Sequence, residues 1–261
     1  MNAKEINEKL NFYIRPQTFP VAIRLYGKSE KLPDKVRYPK RDLGSAIPVC
    51  QGTGLARRYG WTIAVGKEDQ SCPHGFFVLG FTPGESYLDG SSGEEAGVGT
   101  REYVTSITRN VTRLPYGKYS FVVAAPLQSA AFDPHIILIY GDPAQIARLI
   151  QGAFVMTGRP VTTPAFGGVA CGSFIARTML TDECQVIMAG AGDRYFALTQ
   201  DHELAFTIPW SKAEMVMEGL EKGHKTGWRF PTPSVFRFDG VLPPAYYRWT
   251  DILRKEDKSE P

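Results

Sequence analysis

Apolar and polar positions along this chain follow two rhythms, one helical and one extended. Ile6, Leu10 and Tyr13 recur at helical spacing and predict an amphipathic helix over residues 3–14. Residues 21–25, 61–65, 119–125 and 135–140 read as strands, and the last is so uniformly apolar that both of its faces should be covered. A helix starting near Cys50 would turn Leu55 and Ala56 inward, and Tyr103, Val104, Ile107 and Val111 mark another. The clearest helix start is Asp142-Pro143-Ala144-Gln145. Its aspartate can accept from free backbone N–H groups, its proline suits the first turn, and its glutamine can reach back. Ile146, Leu149, Ile150 and Ala153 form the apolar face that follows. Ser211-Lys212-Ala213-Glu214 reads as a second capping box, ahead of Ala213, Val216, Met217 and Leu220. Strands are expected around 185–188 and 203–208. Residues 27–47 read as a long loop, and the Gly-, Ser- and Glu-rich stretch 83–99 as an exposed, mobile one.

Helices and strands alternate without internal repeats or a low-complexity linker. The predicted fold class is mixed α/β (α+β), with mixed sheets and flanking helices. It would form a single domain over residues 1–253, with residue 115 as the place where two lobes could divide, and a disordered charged tail over 254–261. Composition is that of an ordinary globular chain, at 43% hydrophobic and 22% charged. Thirty basic and 27 acidic residues leave a net charge of +3, which gives no reason to expect a nucleic-acid partner. The basic run at residues 35–41 is broken by Tyr38 and Pro39 and reads as a solvated loop. The polar start lacks the apolar core of a signal peptide, and no stretch approaches a membrane span. A cytoplasmic protein with reduced thiols is therefore expected.

Those thiols are the main chemical lead. Cys50, Cys72 and Cys171 each lie beside glycine, proline or both, where a sulfur can face a ligand, a metal or another backbone. No Cys-x-x-Cys pair is present, so a shared site would have to be assembled by the fold. Three thiolates suit an iron–sulfur cluster, or zinc or another soft metal. His74, two residues after Cys72, and Cys184, ahead of a strand, are candidates for a fourth ligand. If a helix starts after Gly167-Gly168, its N-terminus would lower the pKa of Cys171. The glycine-rich loop Gly190-Ala191-Gly192-Asp193-Arg194 follows a strand, and Gly190, Gly192 and Arg194 could hold an anionic ligand. Three functions stay open. The first is a redox or metallocofactor protein with an electron-transfer partner or small-molecule substrate. The second is a non-catalytic small-molecule-binding module whose cysteines are structural. The third is nucleophilic catalysis by Cys72 with His74. Whether the chain is an enzyme, and whether it forms a homo-oligomer, is left open by these residues.

Several of these segments together resemble an archaeal and bacterial family catalogued as domain of unknown function 169. The matching pieces are Pro20-Val21-Ala22-Ile23, the turn at Cys50, Asp69-Gln70-Ser71-Cys72-Pro73 with Gly75, Ala125-Pro126-Leu127 and residues 139–145. Ala170-Cys171-Gly172, Gly192-Asp193-Arg194 and Ile208-Pro209 complete the set, which spans roughly residues 20–230. The resemblance implies no settled activity. It does imply that Cys50, Cys72 and Cys171 occupy family cysteine positions. The resemblance also implies that many relatives carry a further cysteine before the Gly-x-Arg element, where this chain has Gly190; either Cys184 would have to substitute for it, or the site differs.

Overall fold

The computed structural model describes residues 1–231 and 242–256. Six strands form one sheet: β1 (Val21–Tyr26), β2 (Ile63–Gly66), β3 (Phe121–Pro126), β4 (Ile136–Gly141), β5 (Gln185–Ile187) and β6 (Leu204–Pro209). Their spatial order is β2-β3-β1-β4-β6-β5, and every neighbouring pair is antiparallel. In register, Val21 faces both Pro126 of β3 and Leu138 of β4. Strands from either side of residue 115 therefore share one sheet.

Strand alternation divides the core into two layers. Val21, Ile23, Leu25, Ile136, Leu138, Tyr140 and Ala205 face one way, while Ala22, Ile137, Ile139, Phe206 and Ile208 face the other. All six residues of β4 are buried, as their uninterrupted apolarity predicts. Helices α1 (Ala3–Tyr13), α7 (Pro143–Thr157) and α10 (Ala213–Lys225) cover the second face. The first is covered by α2 (Val49–Tyr59), α3 (Pro73–Val78) and the segment around Cys171. Smaller helices complete this unit: α4 (Glu85–Leu88), α5 (Ser91–Glu95), α6 (Arg101–Thr108), α8 (Thr178–Thr181) and α9 (Ala191–Phe196).

The Asp142 capping box forms as its residues predict: Gln145 N–H donates to Asp142 Oδ1 at 2.8 Å, and Asp142 N–H donates to Gln145 Oε1 at 2.9 Å. The Ser211 box does not form. Ser211 Oγ donates to Asp182 instead, and α10 starts without a side-chain cap. Of the residues that mark α6 in the sequence, Val104 is buried, Tyr103 and Ile107 are exposed, and Val111 lies beyond the helix end, half-buried against the core. The 83–99 stretch is largely exposed but is not irregular chain. Glycines at positive φ, Gly84 (74°) and Gly90 (78°), start its two short helices. Asp89 accepts from Ser91 N–H at 2.9 Å and pairs with Arg101.

Contacts divide the chain into two units, Met1–Pro231 and Thr232–Pro261. The described part of the second carries α11 (Pro244–Glu256), where Leu242 N–H donates to the Tyr247 hydroxyl at 3.0 Å. Residues 254–256 of the charged tail belong to that helix, and 257–261 lie outside the described residues.

Candidate functional site

Each of the three glycine- and proline-flanked cysteines lies where a helical segment begins. Cys50 is in the first turn of α2, which enters through Pro48. Cys72 caps α3, with Pro73 setting its first turn, and its N–H donates to Gln70 Oε1 at 3.0 Å. Gly75 lets the Gln70 amide sit close by: a Cβ would lie 2.7 Å from Gln70 Cδ and push that side chain aside. Cys171 precedes a π-helical turn, Gly172–Arg177. Cys50 and Cys171 pack in the same apolar layer, together with Tyr87 and Phe77.

The fold brings these thiols close enough for their charges to act on one another. Burial pushes the Cys50 thiol well above its ordinary value, and Asp193 and Cys72 add to the rise. Burial does the same to Cys171, reinforced by Cys50, Asp193 and Cys72. The expectation that a helix start would depress Cys171 therefore fails, because desolvation outweighs the short turn behind it. Tyr87 is raised by burial and by the nearby Cys171 and Cys72.

Asp193 is the residue that sequence reasoning missed. It is 4% exposed, and its Oδ1 has no hydrogen-bond partner within the protein. Burial lifts its carboxyl to about 6, against the pull of backbone N–H groups and of Arg57 and Arg194. Arg57 does not neutralise it. The side chain of Arg57 is wholly buried, and its guanidinium grips both carboxylate oxygens of Glu203 at 2.9 Å. It also stacks 3.9 Å over the Tyr140 ring. The hint available in the sequence was the Gly-x-Arg element itself, whose middle residue is this aspartate.

The remaining predicted site residues fall into three places. His74 is beside the centre: its Nδ1 shares a 2.6 Å hydrogen bond with the Tyr87 hydroxyl, and burial lowers its pKa. The segment predicted as a glycine loop is a helix start. Gly190 caps α9, and it approaches the Cys171 segment so closely that a Cβ would lie 2.5 Å from Gly168 Cα. Gly192 has open space around it. Arg194 turns to the Gln200 carbonyl at 2.9 Å and to exposed Asp201 at 3.2 Å, and its charge also acts on Asp193. Cys184 is not brought to the other three. It packs on the opposite face of the sheet with the α7 and α10 core, and burial pushes its thiol up to about 12.

Among the described residues, no three His, Cys, Asp or Glu side chains converge at the spacing of a single metal ion. No described helix is long and apolar enough to cross a membrane. These features define an α+β layered protein with a cysteine- and aspartate-lined centre on one face of an antiparallel sheet. The profile of the DUF169 family, described as uncharacterised ArCR, matches residues 9–219, and the chain belongs to that family. No curated protein and no solved structure matches it.

Proposed function

We propose that Cys50, Cys72 and Cys171 hold an iron–sulfur cluster, with a soft metal ion such as zinc as the lesser alternative, and that the site serves redox or small-molecule chemistry. The observation that carries this reading is the assembly itself. Three thiols from distant parts of the sequence lie near enough to act electrostatically on one another and on Asp193, whose buried Oδ1 has no partner, and the Arg57 guanidinium is already committed to Glu203. Such a donor set is short of positive charge, and thiolates suit iron–sulfur clusters and soft ions.

The cysteines of a cluster bind different iron atoms and need not converge on one point, as the ligands of a single ion must. Asp193 and His74 are the remaining donors for a fourth position. A bound cluster with one weakly held position would supply electron transfer or Lewis-acid chemistry. The chain's own contribution is an apolar layer that packs Cys50 and Cys171, and a buried Arg57–Glu203 ion pair. Iron, sulfide and zinc content of protein purified without oxygen tests the reading. Colourless, metal-free, folded protein would instead favour the non-catalytic binding module, with the thiols as packing.

A further inference from the structure

A cleft lies on the face of the sheet opposite the three clustered thiols. It opens between the end of α7, the turn after it, the residues ahead of β5 and the first turn of α10, with a volume of about 490 Å³. Small-molecule sites are commonly of this size. Cys184, Val161 and Met215 give it an apolar wall that continues into the core between α7 and α10.

Three charged side chains line the same cleft: Arg159, Lys212 and Glu183. A ligand can reach all of them. Arg159 and Glu183 are exposed, and the Lys212 side chain is 33% exposed. Their own partners leave them available. Among the described residues, Arg159 makes hydrogen bonds only through its backbone, to the Thr157 hydroxyl. Glu183 makes them only through its carbonyl, to Gln185. Lys212 has Asp182 at 4.0 Å, the outer limit of an ion pair, and Asp182 already accepts from the Ser211 hydroxyl.

The charges also share a location. Beyond the effect of burial, Lys212 lowers the Cys184 thiol while Asp182 and Glu183 raise it, so these groups surround one sulfur. Two cations and, with Asp182 counted, two carboxylates leave the neighbourhood neutral. A net anion or a net cation therefore gains little from it. A ligand with both charges on neighbouring atoms, and an apolar group beside them, answers Arg159 and Lys212, Glu183 and the wall at once.

We propose that this cleft binds a free apolar α-amino acid. Its carboxylate meets Arg159 and Lys212, its ammonium meets Glu183, and its side chain lies on Val161, Met215 and Cys184. The site stands independently of what the other thiols hold, because Cys50, Cys72 and Cys171 do not line it.

Calorimetry and thermal shift on the full chain, with L-leucine and L-phenylalanine as probes, test the proposal. Isocaproate (leucine without the ammonium), isoamylamine (leucine without the carboxylate) and glycine (no apolar side chain) serve as controls. At least one of the two amino acids is expected to bind saturably and raise the melting temperature, with all three controls inert. Arg159 and Glu183 are exposed, so Arg159→Gln and Glu183→Gln should fold normally, which the melting temperature without ligand checks. Each should weaken amino-acid binding about tenfold, the loss of one charge-assisted hydrogen bond. No saturable binding of either amino acid would overturn the proposal. So would equal binding of isocaproate or isoamylamine, or an affinity unchanged in both variants.

Discussion

Taking the Arg57 guanidinium out of water costs several kcal/mol, and the bidentate carboxylate of Glu203 offsets it. Burial alone would raise the Glu203 carboxyl, but its bonds from Arg57 and from Gln200 N–H hold it below its ordinary value of 4.5. The pair's contribution is therefore complete above about pH 4.5 and is lost as pH falls through the lower folded value. Glu203→Gln should cost about 3–5 kcal/mol at pH 7 by denaturant unfolding, because the guanidinium is left buried and unpaired. The gap to the parent protein should narrow in acid; a gap independent of pH would show that packing is what is lost. The thiols make a second residue-scale prediction. Cys171 and Cys184 are buried, Cys50 and Cys72 are half-buried, and burial pushes the Cys50 thiol up, so native alkylation of metal-free protein should label Cys72 first. Metal loading should protect Cys72, Cys50 and Cys171 and leave the slow rate at Cys184 unchanged. Mass mapping reads both.

At the scale of elements, close glycine contacts fix the geometry. α7 and α10 approach so tightly that a Cβ on Gly219 would overlap the Gly152 carbonyl oxygen. Gly219→Ala should therefore destabilise by about 3 kcal/mol, at the upper end of ordinary overpacking costs. The same variant at Gly192, which has open space, should be nearly silent. Thermal unfolding of the two variants compares them directly. Gly190 matters for the site: the approach of its backbone to Gly168 joins α9, which carries Asp193, to the Cys171 segment. A cysteine placed there would need that contact to open. The elements legible in the sequence were those with strong local patterns: α1, α7 and its capping box, the inward face of α10, and β4. Where local pattern misled, a tertiary partner had taken over. Ser211 bonds Asp182 rather than its own helix, and Tyr103 and Ile107 find no layer to pack against. The Gly190–Arg194 segment looks like a loop by composition, yet Gly190 caps a helix whose Asp193 is buried.

For the whole molecule, the sheet order β2-β3-β1-β4-β6-β5 could not be read locally, since register depends on strands that are distant in sequence. The mixed fold class could be read, because helical and extended rhythms alternate along the entire chain. The centre was legible in part. Flanking glycines and prolines singled out Cys50, Cys72 and Cys171, and the fold gathers them on one face. Cys184 carried the same residue type without those turns and lies on the other face. Asp193 and Arg57 were invisible as a pair because only the sheet brings α2 and α9 together.

The cluster reading is tested most directly by iron and acid-labile sulfide content, with an absorption spectrum, on protein purified without oxygen. The account predicts stoichiometric iron and sulfide and a broad visible absorption that disappears in Cys72→Ser and persists in Cys184→Ser. Folded, colourless protein without iron or sulfide, or a spectrum indifferent to Cys72→Ser, would contradict it.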